Sequence, residues 1–170
     1  MRKLGHMQTA APSQLSTLPF SEQFCLWAVR LWVRSHRIGG SCHGVLYKGF
    51  GLIGALEAYY ALDGLLTILF TTAHSIIDIR NLACPEISHD EQRLLGMIAM
   101  HQGNVDPKSR EILLLYWLPH PAVDAVQNQL SELAATLSQA GLIIDSSPTQ
   151  SVSVFSNAYS CLSKEPATIH

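Results

Sequence analysis

Between Ile38 and Ile79 the only charged residues are Lys48, Glu57, Asp63 and Asp78, in a chain that is 48% hydrophobic and 14% charged. A segment so poor in charge must lie inside something: a membrane, or the core of a folded domain. Its longest uncharged run, Gly64 to Ile77, has 14 residues, well short of the roughly 20 that a spanning helix needs. Glu57 and Asp63 interrupt anything longer, so no membrane span is expected and the segment is assigned to a protein interior.

The 170-residue length suits one domain, with enough chain to bury a core unaided. The first 20 residues, rich in Ser, Thr, Gln and Pro, have no apolar period and are expected to form a flexible arm. Residues 21–145 carry helical periodicity, and the serine-rich stretch 146–170 is expected to be a mostly disordered tail.

Within 21–145 the pattern implies an all-α bundle of about five helices. The first opens at Ser21 as N-cap and closes at Gly39–Gly40. It is apolar nearly all round, with a polar arc at Arg30, Arg34 and Arg37. From Phe50 to Asp78, the residues Glu57, Tyr60, Asp63, Gly64, Thr67, Thr71, His74, Ser75 and Asp78 fall in one arc of about 120°, which predicts one long helix. In "CPEISHDEQRLLG", Ser88 followed by Glu91 is a capping box, with Gly103 as the stop. "DPKSREILLLYWLP" places Pro107 at a first helical position behind Asp106, and Pro119 closes that segment. The last helix runs from Pro121 to Gly141 on an apolar stripe of Val123, Val126, Leu130, Leu133, Ala134 and Leu137.

The chemistry-bearing residues are few. Arg30, Arg34 and Arg37, spaced i, i+4, i+7, line one edge of a mostly buried helix and need carboxylates, phosphate or water. Pairing with Glu57 and Asp63 is the expected outcome; the alternative is that the edge faces out and holds a small anionic ligand. Cys42, His43, Cys84 and His89 can be written as a metal tetrad. Against it, Cys42 and His43 are sequence neighbours whose side chains diverge, and Cys84 reads more simply as a small apolar residue before a helix. His101 stands in a last helical turn, where an imidazolium is favoured. His74 and Asp78, one turn apart, are half of a general-base arrangement with no nucleophile marked.

Four cysteines without regular spacing imply reduced thiols rather than a disulfide framework. A formal charge of −2 lacks the basic excess that phosphate contacts demand, so nucleic acid is not an expected partner. "LSQAGLIIDSSPTQSVSVF" resembles the end of a winged helix. However, Pro121–Gly141 contains no Lys or Arg and carries Asp124 and Glu132, the wrong charge for a recognition helix. The basic N-terminus lacks the apolar core of a secretory signal, which leads us to expect a cytoplasmic protein.

The succession LW, RLWVRSHR, ALDGLL, CPEISHDEQRLLG, LPHP and LSELAATLSQAGL, over residues 20–145, resembles small helical proteins of alphaproteobacterial type that carry no assigned activity. The resemblance implies no catalytic residue. With no phosphate loop, nucleophile motif or cofactor fingerprint, no cofactor is expected. The expected function is then that of a non-enzymatic helical module acting through a protein partner or self-association. The alternative is binding of a small anion or metal ion at the arginine edge or the Cys/His loops.

Overall fold

A computed structural model describes residues 14–103 and 105–145. Six α-helices fold into one bundle: α1 (Phe20–Ile38), α2 (His43–Leu52), α3 (Leu56–Thr72), α4 (His89–Gln102), α5 (Pro107–Leu114) and α6 (His120–Gln139). Among the described residues the only β-type pairing is an isolated bridge between Gln14 and Glu86.

The bridge corrects the expected start of order. Leu15 N–H donates to the Pro85 carbonyl at 2.7 Å, a 3₁₀ turn covers Leu15–Thr17, and Leu15 and Leu18 pack on the core. Chain from residue 14 is therefore part of the domain, and α1 begins at Phe20 with Pro19 in the cap position, so Ser21 lies inside the first turn. Residues 1–13 and the tail 146–170 lie outside the described residues.

The single long helix expected over Phe50–Asp78 is two helices and an extended strap. The first interruption is chemical: Gly54 has φ 71°, a conformation that side chains with a Cβ resist. The chain turns there, Ala55 N–H reaching back to the Phe50 carbonyl at 3.0 Å. The second interruption follows from packing. In the stretch Ile76–Arg80, Ile77 and Ile79 are buried while Ile76, Asp78 and Arg80 are exposed, the two-residue alternation of extended chain. Such a strap has no sheet to satisfy its backbone, so carboxylates of α4 do so. Asp78 N–H donates to Asp90 Oδ2 at 2.8 Å, and Arg80 N–H to Glu91 Oε1 at 3.1 Å.

The remaining helices start as their sequences imply. Ser88 Oγ accepts from Glu91 N–H and Glu91 accepts from Ser88 N–H, a complete capping box. Asp106 caps α5 through Ser109 N–H, with Pro107 first in the helix; α5 ends at Leu114, and Trp117 and Leu118 then turn into the core. The stripe of α6, Val123 through Leu137, is wholly buried, most extensively against α3 and then against α4. Contact with α3 is close at Gly64, where a Cβ would stand 2.7 Å from Gln129 Oε1. No helix of the described residues is long and apolar enough to cross a membrane.

Candidate functional site

The arginine edge divides. Arg30 is completely buried and pairs with Glu91, not with Glu57 or Asp63; both side chains have 0% exposure. Its Nε and Nη2 donate to the two carboxylate oxygens at 2.7 and 2.9 Å. Nη1 reaches the carbonyls of Asn81 and Cys84, and Nη2 also reaches that of Glu86. All five guanidinium N–H groups are thus placed. Glu91 in turn accepts from Arg30 twice, from Arg80 N–H and from Ser88 N–H. A buried pair costs less than its desolvation suggests only when its remaining donors and acceptors are met, as here. Arg30 is therefore a structural residue and is not available to a ligand. Arg34 and Arg37 are exposed, and neither has a carboxylate within 4 Å among the described residues.

Cys42, His43, Cys84 and His89 do not come together. No group of three His, Cys, Asp or Glu side chains able to hold a metal occurs among the described residues. Cys42 is buried at the start of α2, while His43, exposed, hydrogen-bonds through Nδ1 to the Tyr59 hydroxyl. Cys84 offers its carbonyl to Arg30, and His89 is exposed in the first turn of α4. The tetrad fails because its two halves serve different elements: one joins α2 to α3, the other closes the strap against α1.

His74 and Asp78 are not helical neighbours either. His74 Nε2 contacts the Tyr116 carbonyl at 3.0 Å, and Asp78 pairs with Arg80 at 3.4 Å on the exposed strap. His101 sits at the expected end of α4, but the imidazolium is not favoured there. Burial pushes its pKa down, the Met97 carbonyl opposes this, and Arg110 adds to the lowering. His101 Nε2 and Arg110 Nε are both buried without a hydrogen-bond partner among the described residues. Cys25, fully buried beside Glu22, has its thiol pushed up to about 12, burial being the larger cause and the Glu22 carboxylate the smaller, so it is inert as a nucleophile at neutral pH.

Among the described residues two surfaces stand out as unmatched by the fold. Helix α2 buries only Leu46 and Phe50 within its span. On a 100° helical projection Gly44, Lys48 and Gly51 form its outer crest, with Val45 and Leu52 on one shoulder and Tyr47 on the other. Val45 is 54% exposed, Tyr47 45% and Leu52 88%, and Tyr60 of α3 adds a further 55%-exposed ring. The second surface is an open cleft of about 320 Å³ between the last two turns of α1 and of α3, with Trp32 and Phe70 in its lining and Arg37 beside them.

Of these two surfaces the sequence marks only Arg37 as a candidate ligand residue, and it marks neither surface as a whole. Trp32 and His36 are spaced i, i+4, a signal for an aromatic pair, but the facing Phe70 is 34 positions after His36 in the chain. Nothing local joins them. The chain matches no protein-family model, no curated protein and no solved structure, so any functional reading rests on these surfaces.

Proposed function

We propose that the chain is a non-enzymatic helical module that acts by docking a protein, another chain or a second copy of itself, on the outer face of α2 and the adjoining start of α3. The observation that carries this reading is the composition of that face. A helix with water on its outer side normally turns polar residues outward. Helix α2 offers Lys48 and His43, and otherwise Gly, Val, Leu and Tyr. Val45 and Leu52 on one shoulder and Tyr47 across the crest expose large apolar side chains on a single short helix, a grouping that favours contact with another molecule, and tyrosines are favoured in such contacts because they bury large rings at little conformational cost. The close-set ionisable groups support the same reading, since Arg30, Glu91, Asp90 and His43 hold one element to another.

The test is a Tyr47→Glu/Leu52→Glu double variant of the full chain. The expected wild-type result is either concentration-dependent self-association in sedimentation or a stoichiometric host protein retained on the chain. The variant should lose whichever is seen while keeping the same thermal midpoint. Wild type and variant that both sediment as monomers at all concentrations and retain the same host proteins would overturn it.

A further inference from the structure

The shoulder of α2 that carries Val45 and Leu52 continues onto α1. At 100° per residue, Phe20, Phe24, Trp27, Leu31 and Ile38 fall within about 60° of one another, on the side of α1 opposite its buried residues. Phe20 and Ile38 are 65% and 69% exposed, and Phe24, Trp27 and Leu31 are partly exposed. The first three rings form a ladder, with centroids 6.1 Å apart for Phe20 and Phe24 and 5.5 Å apart for Phe24 and Trp27. Helix α2 lies along one side of it. A Cβ at Gly49 would stand 2.8 Å from Trp27 Cη2, and Phe50 meets Phe24 edge-on at 5.0 Å. The pairs Trp27 with Gly49 and Phe24 with Phe50 run in opposite senses along the two helices, which are therefore antiparallel. Val45, Gly49 and Leu52 share one shoulder of α2, so Val45 falls abreast of Leu31 and Leu52 abreast of Phe24. The result is one apolar strip about 27 Å long, edged by that shoulder.

The spacing along α1 is 4, 3, 4 and 7, and Arg34 divides the last interval into 3 and 4. Alternating threes and fours on so narrow an arc make the seam on which a second helix packs knobs into holes. A bilayer surface, by contrast, takes up apolar area whatever its spacing. The periodicity therefore favours a helical partner over a membrane.

Charge narrows the partner. Arg34, Arg37 and Lys48 are exposed beside the strip, and none has a carboxylate within 4 Å among the described residues. The only acid on either helix is Glu22, which is buried. Asp145, whose N–H donates to Glu22, is exposed at the Phe20 end, so the positive potential belongs to the middle of the strip and its Ile38 end. There the negative end of the α1 dipole adjoins the positive end of the α2 dipole, which leaves the side chains to set the field. A second copy of the chain would bring the same cations against these. We infer that the α1 strip is a docking seam for an amphipathic helix of another protein, one with large apolar residues on a 4–3 repeat and flanking acidic residues that meet Arg34, Arg37 and Lys48. The seam shares the Val45–Leu52 shoulder with the α2 face but neither Tyr47 nor Tyr60, and it stands or falls without that reading.

Titration of the isotopically labelled full chain with a synthetic helical peptide, followed by NMR, tests the seam. The peptide has about three heptads, leucine at both seam positions and glutamate at the positions flanking them; a companion peptide carries lysine in place of glutamate. The glutamate peptide should bind with shifts centred on Phe24, Trp27, Leu31 and Val45, and the lysine peptide should bind about tenfold or more weakly. Phe20→Glu/Ile38→Glu should weaken the glutamate peptide by about tenfold or more. Both residues are largely exposed, so this variant keeps its fold, which an unchanged amide spectrum away from the two sites verifies. Arg34→Glu/Arg37→Glu should abolish the preference between the peptides. Tyr47→Glu, on the other shoulder of α2, should stay within about twofold of wild type, which separates this seam from the α2 face. Equal binding of the two peptides by wild type, equal losses in Tyr47→Glu and Phe20→Glu/Ile38→Glu, shifts centred elsewhere, or no binding at millimolar peptide would each overturn the assignment. So would sedimentation with phosphatidylserine vesicles, or self-association, that Phe20→Glu/Ile38→Glu abolishes, since the strip would then belong to a bilayer or to a second copy.

Discussion

The junction of α1 with α4 and the outer face of α2 lie in one small domain and treat polar chemistry in opposite ways. At the junction a guanidinium and a carboxylate are fully buried, and each hydrogen-bonding group on them has a partner within the chain. On α2, the apolar side chains of Val45, Tyr47 and Leu52 stand largely in solvent. The difference separates residues that make the fold from residues that the fold leaves for other molecules. Residue type alone does not draw this line, because Arg30 by type belongs outside and is buried, and Leu52 by type belongs inside and is exposed.

The sharpest way to break the contrast is at the junction. Arg30→Ala leaves the Glu91 carboxylate buried and unpaired and should cost about 3–5 kcal/mol in chemical denaturation. Replacing both members with methionine should cost much less than the sum of the two single changes. Additive losses would mean that the pair is not a coupled unit. Next in size is Ser88→Ala. Its hydroxyl caps α4 and also donates to the Asp78 carbonyl, so a loss of about 1–2 kcal/mol is expected, and an unmoved denaturation midpoint would remove the capping box from the stabilising contacts.

A smaller effect should appear at the other end of α4, where polar groups are buried but incompletely matched. Burial lowers the His101 pKa below its ordinary 6.5, so below that value the unfolded chain binds the proton more readily than the folded one. The stability contributed by neutral His101 is present above pH 6.5 and is lost as pH falls through the depressed folded value. Denaturation midpoints measured from pH 7.5 down to 5 should fall more steeply for wild type than for His101→Gln; parallel profiles would contradict the sign. Smallest of all, Tyr47→Glu/Leu52→Glu should change stability by no more than about 0.5 kcal/mol, and a large loss would move α2's outer face into the class of the junction.

What the sequence makes legible is local. Ser88 and Glu91 are three residues apart, Asp106 and Pro107 are adjacent, and the α6 stripe repeats within one helix, so their roles could be read from spacing. The second role of Glu91 could not, because its partner Arg30 is 61 positions away. Spacing also cannot distinguish Arg30 from Arg34 and Arg37, which share its helix edge and stay outside. The polar stripe over Phe50–Asp78 misled for a different reason. Thr67, Thr71 and Asp63 do share a face of α3, but Ile76–Arg80 fits a helical arc and a two-residue alternation equally well, and only Asp90 and Glu91 decide between them. Gly54 was the available sign of the first break. Its left-handed φ is the physical content of a glycine that interrupts an apolar run.

The strap before α4 has the outline of a loop, yet Arg30 grips three of its carbonyls from beneath while Asp90 and Glu91 hold two of its amides. It therefore lacks the independence of an ordinary connector. To peel it away is to strip the central charge of the domain of its coordination, so this segment should yield only when the whole bundle opens, and its persistence is a gauge of the integrity of the whole molecule.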